Sequence, residues 1–166
     1  NSYSVYINNN NIPGDGKWDQ TWISSESQLQ IGRVDFFFFS LFANSEIQLM
    51  KNYLAKDDSY KMDLLNIRRR GLIYDGLGIN SNEAFASNGW RNFSPLLGKD
   101  SITVVGYYQT IPALVSTAYQ WVYGCGGGTF TSLNHIGSTS DFVNNPNNSI
   151  FTMFFGSGFG DWNTTD

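Results

Sequence analysis

Tyr119-Gln120-Trp121-Val122-Tyr123-Gly124-Cys125-Gly126-Gly127-Gly128 is an aromatic, apolar run that ends in four glycines around the chain's one cysteine. Read as a strand delivering a tight glycine loop, it sets the pattern by which the rest of the chain is understood. Leu72-Ile73-Tyr74-Asp75 repeats it as a short buried strand closed by an acid, with Gly76-Leu77-Gly78 behind it. Ser101 to Tyr108 is a strand rich in β-branched residues. Ile150 to Phe155 is the last, entering Gly156-Ser157-Gly158-Phe159-Gly160. These strands have few alternating polar positions and helical segments stand between them. That is the signature of a parallel sheet buried on both sides. The expected fold is α/β with three layers, a mainly parallel sheet carrying helices on both faces. Right-handed crossovers bring every strand C-terminus to one edge, where open α/β sheets bind ligands. That edge gathers Asp75, Tyr107, Tyr108, Cys125 and Ser157.

Between the strands, Asn44 reads as the N-cap of a helix with the stripe Ile47, Leu49, Met50, Tyr53 and Leu54. Ser81 to Leu97 is a helix interrupted near Gly89, Pro112 to Thr117 a short one with proline in its first turn, and Ser140 to Asn144 a brief fourth. Upstream, Ser2 to Ile7 alternates as a half-buried strand does, and Asn8 to Gly16 is turn chemistry. Asp15 and Asp19 offer oxygens to calcium there, but the EF-hand spacing is missing, and no metal or cofactor is assigned. Leu29 to Phe39 ends in four consecutive phenylalanines, suited to a buried strand or a partner surface. The expectation is one α/β domain over residues 1–166, with a strand and Asn-rich loop at 1–28 and a core at 29–162. It is incomplete at both ends, since Asn1 opens into a strand already under way without a signal peptide. The remainder of a larger parent chain is then a partner.

With 166 residues the chain holds one well-buried core. Charged residues are 14%, against roughly 25% in soluble proteins, and Asn, Ser, Thr and Gly supply the polarity instead. Such a surface suits an extracellular or cell-surface setting. A net charge of -4 argues against nucleic acid, and Arg68-Arg69-Arg70 reads as a solvated strand edge. One cysteine excludes an internal disulfide. No apolar run is long enough to span a membrane.

Glycines around Cys125 let the backbone turn steeply and bring its amides near a bound group, where they hold an anion or an oxyanion. Cys125 would then be partly exposed, its thiolate favoured by the amide dipoles. The loop lacks the lysine and hydroxyl residue of a Walker sequence. The alternative is that the glycines serve tight packing beside Trp121 and Tyr123. His135, the one histidine, follows ten residues after Cys125. It is either the base of a Cys125–His135 dyad or the tip of a surface loop. Gly156-Ser157-Gly158 misses the spacing of a nucleophile elbow, so Ser157 is a binding rather than a nucleophilic candidate, and Asp161 is the better polar group of that loop. The candidate catalytic residues are Cys125 and His135. The candidate binding residues are Gly124, Gly126, Gly127, Ser157, Asp161, Asp75, Tyr108 and Trp162.

Ile31-Gly32-Arg33-Val34 is similar to the valine- or isoleucine-Gly-Arg segment of gingipain-like cysteine peptidases, which share the caspase-type fold. As in that family, a helix follows with an acid near its start, Glu46, and lysines toward its end, Lys51 and Lys56. Leu72-Ile73-Tyr74-Asp75 matches the next strand. Gly124-Cys125-Gly126 resembles the family's Gly-His-Gly loop, and Gly156-Ser157-Gly158-Phe159 its Cys-x-x-Gly-x-Phe loop. The resemblance covers residues 29–162 and implies a secreted or cell-surface protein, with an earlier strand and helix beyond this chain. It also implies that Cys125 holds the histidine position and that Gly156 or Ser157 holds the nucleophile position, so the familiar dyad is absent.

Three functions follow as expectations. The first is a non-catalytic or atypical peptidase-like domain that binds peptide or glycan at the strand ends, with Tyr107, Tyr108, Trp121 and Trp162 as aromatic contact area. The second is a cysteine hydrolase using Cys125 and His135. The third is a structural module that assembles through Phe36 to Phe39.

Overall fold

Apolar strands with no polar face need cover on both sides, and the two central strands of the sheet, Gly71–Asp75 and Tyr119–Gly126, are the most fully buried among the described residues. In the computed structural model, residues 34, 36, 41–80 and 83–159 are described. The chain divides into two compact units, 1–35 and 36–166, and the architecture here is that of the second. Expectations on Ser2 to Ile7, the Asn-rich loop with Asp15 and Asp19, Phe37 to Phe39, Asp161 and Trp162 lie outside the described residues.

The elements run α1 (Glu46–Lys61), β1 (Gly71–Asp75), a hairpin of β2 (Ile79–Asn80) and β3 (Glu83–Ala84), then α2 (Ser87–Leu97). They continue with β4 (Ile102–Val105), α3 (Thr110–Ser116), β5 (Tyr119–Gly126), β6 (Gly128–Thr129), β7 (Ser132–Leu133), β8 (Gly137–Ser138), α4 (Thr139–Asn144) and β9 (Ser149–Gly156). One sheet takes the order β4-β1-β5-β9, with every pairing parallel. The register sets Ile73 between Val104 and Tyr123, Cys125 between Asp75 and Phe155, and Gly126 opposite Gly156. All four strand ends therefore share one edge.

Side-chain alternation along β1 and β5 builds the two flanking layers. Leu72 and Val122 are buried against Leu114 of α3, with Phe142 of α4 and Phe154 packed around them. Ile73, on the opposite face, is buried with Ala86, Phe93 and Cys125, and Leu97 of α2 joins that cluster. Helices thus cover both faces, and the expected α/β three-layer fold is what forms.

Local boundaries differ from the sequence reading for definable reasons. Tyr119 to Tyr123 reads as the whole strand because glycine is a poor strand former. In the structure β5 continues through Gly124 and Cys125, paired on both sides by β1 and β9, and on to Gly126, paired with Gly156 of β9. The ladder overrides the local preference. Gly89 does not interrupt α2. A Cβ there would lie 3.1 Å from the Tyr123 ring and 3.3 Å from Ile73 Cδ1, so glycine lets the helix settle onto the sheet. β4 stops at Val105, because the chain turns at Gly106, whose amide donates to Gln109 Oε1 at 2.8 Å.

The N-cap of α1 is Ser45, whose hydroxyl accepts from the Gln48 amide, one residue after the expected Asn44. Its apolar stripe is not a core face. No residue of α1 is buried, and Ile47 and Leu54 are 69% and 54% exposed. The helix is held instead through Lys56 Nζ, which donates to Ser149 O at 2.6 Å, and Tyr60, which accepts from Gln120 and meets Phe151 edge-on. Arg68 and Arg69 are exposed, and Arg69 donates to Leu96 O near the end of α2. Among the described residues no helix is long and apolar enough to cross a membrane.

Candidate functional site

The shared edge begins at Asp75. Its Oδ1 accepts the amides of Leu77 (3.2 Å) and Gly78 (2.8 Å), a side-chain-closed turn that ends β1. Gly76 donates to Cys125 O at 2.7 Å, locking this turn to the neighbouring strand. Asp75 is therefore engaged within the fold.

Cys125 is 0% exposed. Because β5 runs through it, its side chain follows the alternation of Tyr123 and points beneath α2, into the cluster of Ile73, Ala86 and Phe93. The thiol donates to Asp75 Oδ1 at 3.5 Å and approaches Tyr74 O at 3.8 Å. Burial, then the Asp75 charge and its hydrogen bond to the thiol push the group up to about 11. The amides of Gly76 and Leu77 act in the opposite sense and are outweighed. The expectation of a partly exposed thiol with a favoured thiolate is thus corrected. A strand residue in a covered sheet loses solvation of its charge, and that loss exceeds what nearby amide dipoles return.

His135 stands elsewhere. It lies in the turn between β7 and β8 with φ +61°, and its carbonyl accepts the Tyr108 amide at 2.8 Å. Tyr108 itself has φ +59°. The His135 ring stacks on Tyr107 (4.4 Å between centroids, 20°) and meets Tyr108 edge-on (5.0 Å, 84°). Its Nδ1 is buried with no hydrogen-bond partner among the described residues. Both hydrogen-bond partners of the thiol belong to the end of β1, and no hydrogen bond joins the thiol to His135.

What His135 does line is a cavity of about 340 Å³, together with Tyr108, Ile111, Asn134, Ser138 and Asp141. It opens on the α3–α4 side of the sheet, where Leu133 and Ile136 pack with Tyr74 and Phe154, whereas Cys125 is sealed on the α2 side. Tyr107 and Tyr108 stand 66% and 70% exposed beside it. Ser138 caps α4 in a reciprocal box with Asp141. The Ser138 amide, then its hydroxyl, hold the Asp141 carboxyl below its usual range. Sequence reasoning named Tyr108 and His135 but missed Ile111, Asn134, Ser138 and Asp141. The Ser138-x-x-Asp141 spacing was the available signal, since it resembles a capping box ahead of a short helix.

The glycines beside Cys125 are occupied by packing. A Cβ on Gly124 would meet Ile136 Cδ1 at 2.6 Å and Phe154 at 3.0 Å. One on Gly127 would meet Asn134 Nδ2 at 3.0 Å, and Gly126 lies under Asn134 O and Gly76. They let the small antiparallel sheet β6-β7-β8 press against the end of β5. The last loop reaches the same rim, with the Gly158 amide donating to Gly128 O at 3.2 Å and Ser157 exposed. Trp121 stacks on Phe151 at 4.4 Å, on the α2 face and well before the strand ends, so it adds no surface to the rim.

No protein-family model, curated protein or solved structure matches this chain, and its established likeness is to the α/β class with a parallel four-stranded sheet.

Proposed function

We propose that this chain is a non-catalytic, peptidase-like domain of a secreted or cell-surface protein, binding peptide or glycan at the C-terminal edge of its sheet. The observation that carries the proposal is a separation of parts. The open cavity with its exposed tyrosine lies on one face of the sheet, and the single thiol is closed into the other. A hydrolase would need that thiol accessible and ionised beside a base. A binding edge needs exposed aromatic area and convergent polar groups, and Tyr108, Asn134, Ser138 and Asp141 supply both.

Kinship with gingipain-like cysteine peptidases draws support from the adjacency of β5 and β9. The two strands that end in the family-like loops are paired in parallel, with Gly126 opposite Gly156. The low charge and the Asn- and Ser-rich composition support the extracellular setting.

The test is a panel of immobilised peptides and glycans beside fluorogenic peptide substrates, using wild type and Cys125→Ser. The expected result is a retained ligand, held equally by both proteins, with no amide hydrolysis by either. Turnover that disappears in Cys125→Ser would restore the hydrolase reading.

A further inference from the structure

We infer that the cavity beside Tyr108 is a subsite for a neutral sugar ring, with the Tyr108 side chain as its stacking platform; this rests on the reading of that edge as a ligand-binding rim. Tyr108 and His135 both hold a left-handed backbone, at φ +59° and +61°, and are joined by the Tyr108 amide to the His135 carbonyl. Non-glycine residues adopt that conformation rarely, and such strain concentrates where a ligand is bound. Burial does not repay it at Tyr108, which is 70% exposed. His135 braces the platform from behind, edge-on to Tyr108 and face-on to Tyr107, and its unpartnered Nδ1 is buried at the same place.

The chemistry of the walls selects among ligands. Asn134 contributes an amide and Ser132 a hydroxyl, groups that both donate and accept, as the hydroxyls of a sugar do, whereas the Ser138 hydroxyl is spent on Asp141 in the cap of α4. Asp141 is the one carboxylate among the lining residues, and no lysine or arginine accompanies it, so a phosphorylated or acidic ligand is disfavoured. At about 340 Å³ the cavity is at the small end of ligand sites, which run from roughly 300 to 1,000 Å³. An extended peptide would pair with a free strand edge. Here the strands beside the cavity are two residues long, and β7 is already paired on both sides by β6 and β8. A flat ring on an exposed tyrosine with short polar groups around it is the better fit.

The experiment screens wild type, Tyr108→Phe, Tyr108→Ala and Tyr108→Gly against short neutral cello-, xylo-, chito- and manno-oligosaccharides and against a peptide panel. Circular dichroism melting is recorded for each protein. An oligosaccharide is expected to bind, with affinity nearly kept in Tyr108→Phe and weakened about tenfold in Tyr108→Ala and Tyr108→Gly. Tyr108→Gly relieves the backbone and so separates loss of the platform from loss of the fold. A peptide bound through Tyr108, with no sugar bound, would overturn the sugar assignment and leave the binding rim standing. Ligands from neither panel, or binding indifferent to every Tyr108 variant, would overturn both.

Discussion

Cys125 should resist alkylation in the native protein, and the structure sets the scale. Its thiol is raised from an ordinary 9.0 to about 11. At any pH below both values, a shift of two units leaves about a hundredfold less thiolate, the species that reacts. The sulfur is also closed under α2 with no exposed surface, so iodoacetamide must wait for a local opening, which adds a further factor. Labelling near neutral pH, followed by intact mass, should run more than about a hundredfold slower in native buffer than in guanidinium. The native rate should climb with pH without levelling off near neutrality, and His135→Ala should leave it unchanged. A native rate within about tenfold of the unfolded one, or a plateau near pH 7, would refute the reasoning. Cys125 would then be accessible and its charge stabilised.

The same shift predicts an alkaline loss of stability. Below the unfolded thiol value both states keep the proton. Above it the unfolded chain ionises first, so the native state loses roughly 2–3 kcal/mol by pH about 11. Urea unfolding of wild type minus Cys125→Ser should show this loss between about pH 9 and 11, and parallel curves would contradict it. At Tyr108, glycine should outperform alanine by about 0.5–1 kcal/mol, because both remove the ring and only glycine accepts positive φ freely. Equal or reversed melting temperatures would show that the backbone there is unstrained. Gly124→Ala should cost about 1–3 kcal/mol, since the new methyl would meet Ile136 and Phe154 in a filled space. An unchanged denaturation midpoint would mean that the region gives way readily.

Residue types along the chain were enough for the sheet and its covering. Leu72-Ile73-Tyr74, Val104-Val105, Trp121-Val122-Tyr123 and Ile150 to Phe155 are apolar and short. A strand of that kind has few ways to escape water except between two layers of helix. The shared edge followed from connectivity, and Tyr107 and Tyr108 could be named as its residues, whereas His135 was read only as a dyad base or a loop tip. Strand ends were less legible, because Gly124 to Gly126 have local preferences opposite to their paired state. Likewise the apolar stripe of α1 reads as a core face and is exposed, and the two-residue strands β6, β7 and β8 carry no periodic signal to read.

The site was divided only by tertiary structure. Sequence spacing set Cys125 and His135 ten positions apart and left open whether they meet. Extending β5 by three ladder pairs assigned the thiol to the α2 face by side-chain alternation. The turn after β7 carried His135 to Tyr107 and Tyr108 on the other side. A nucleophile and its base need a distance, and distance across a sheet depends on which way each side chain faces. That direction is decided by hydrogen-bond pairing with strands far away in the chain, which no local stretch of residues encodes.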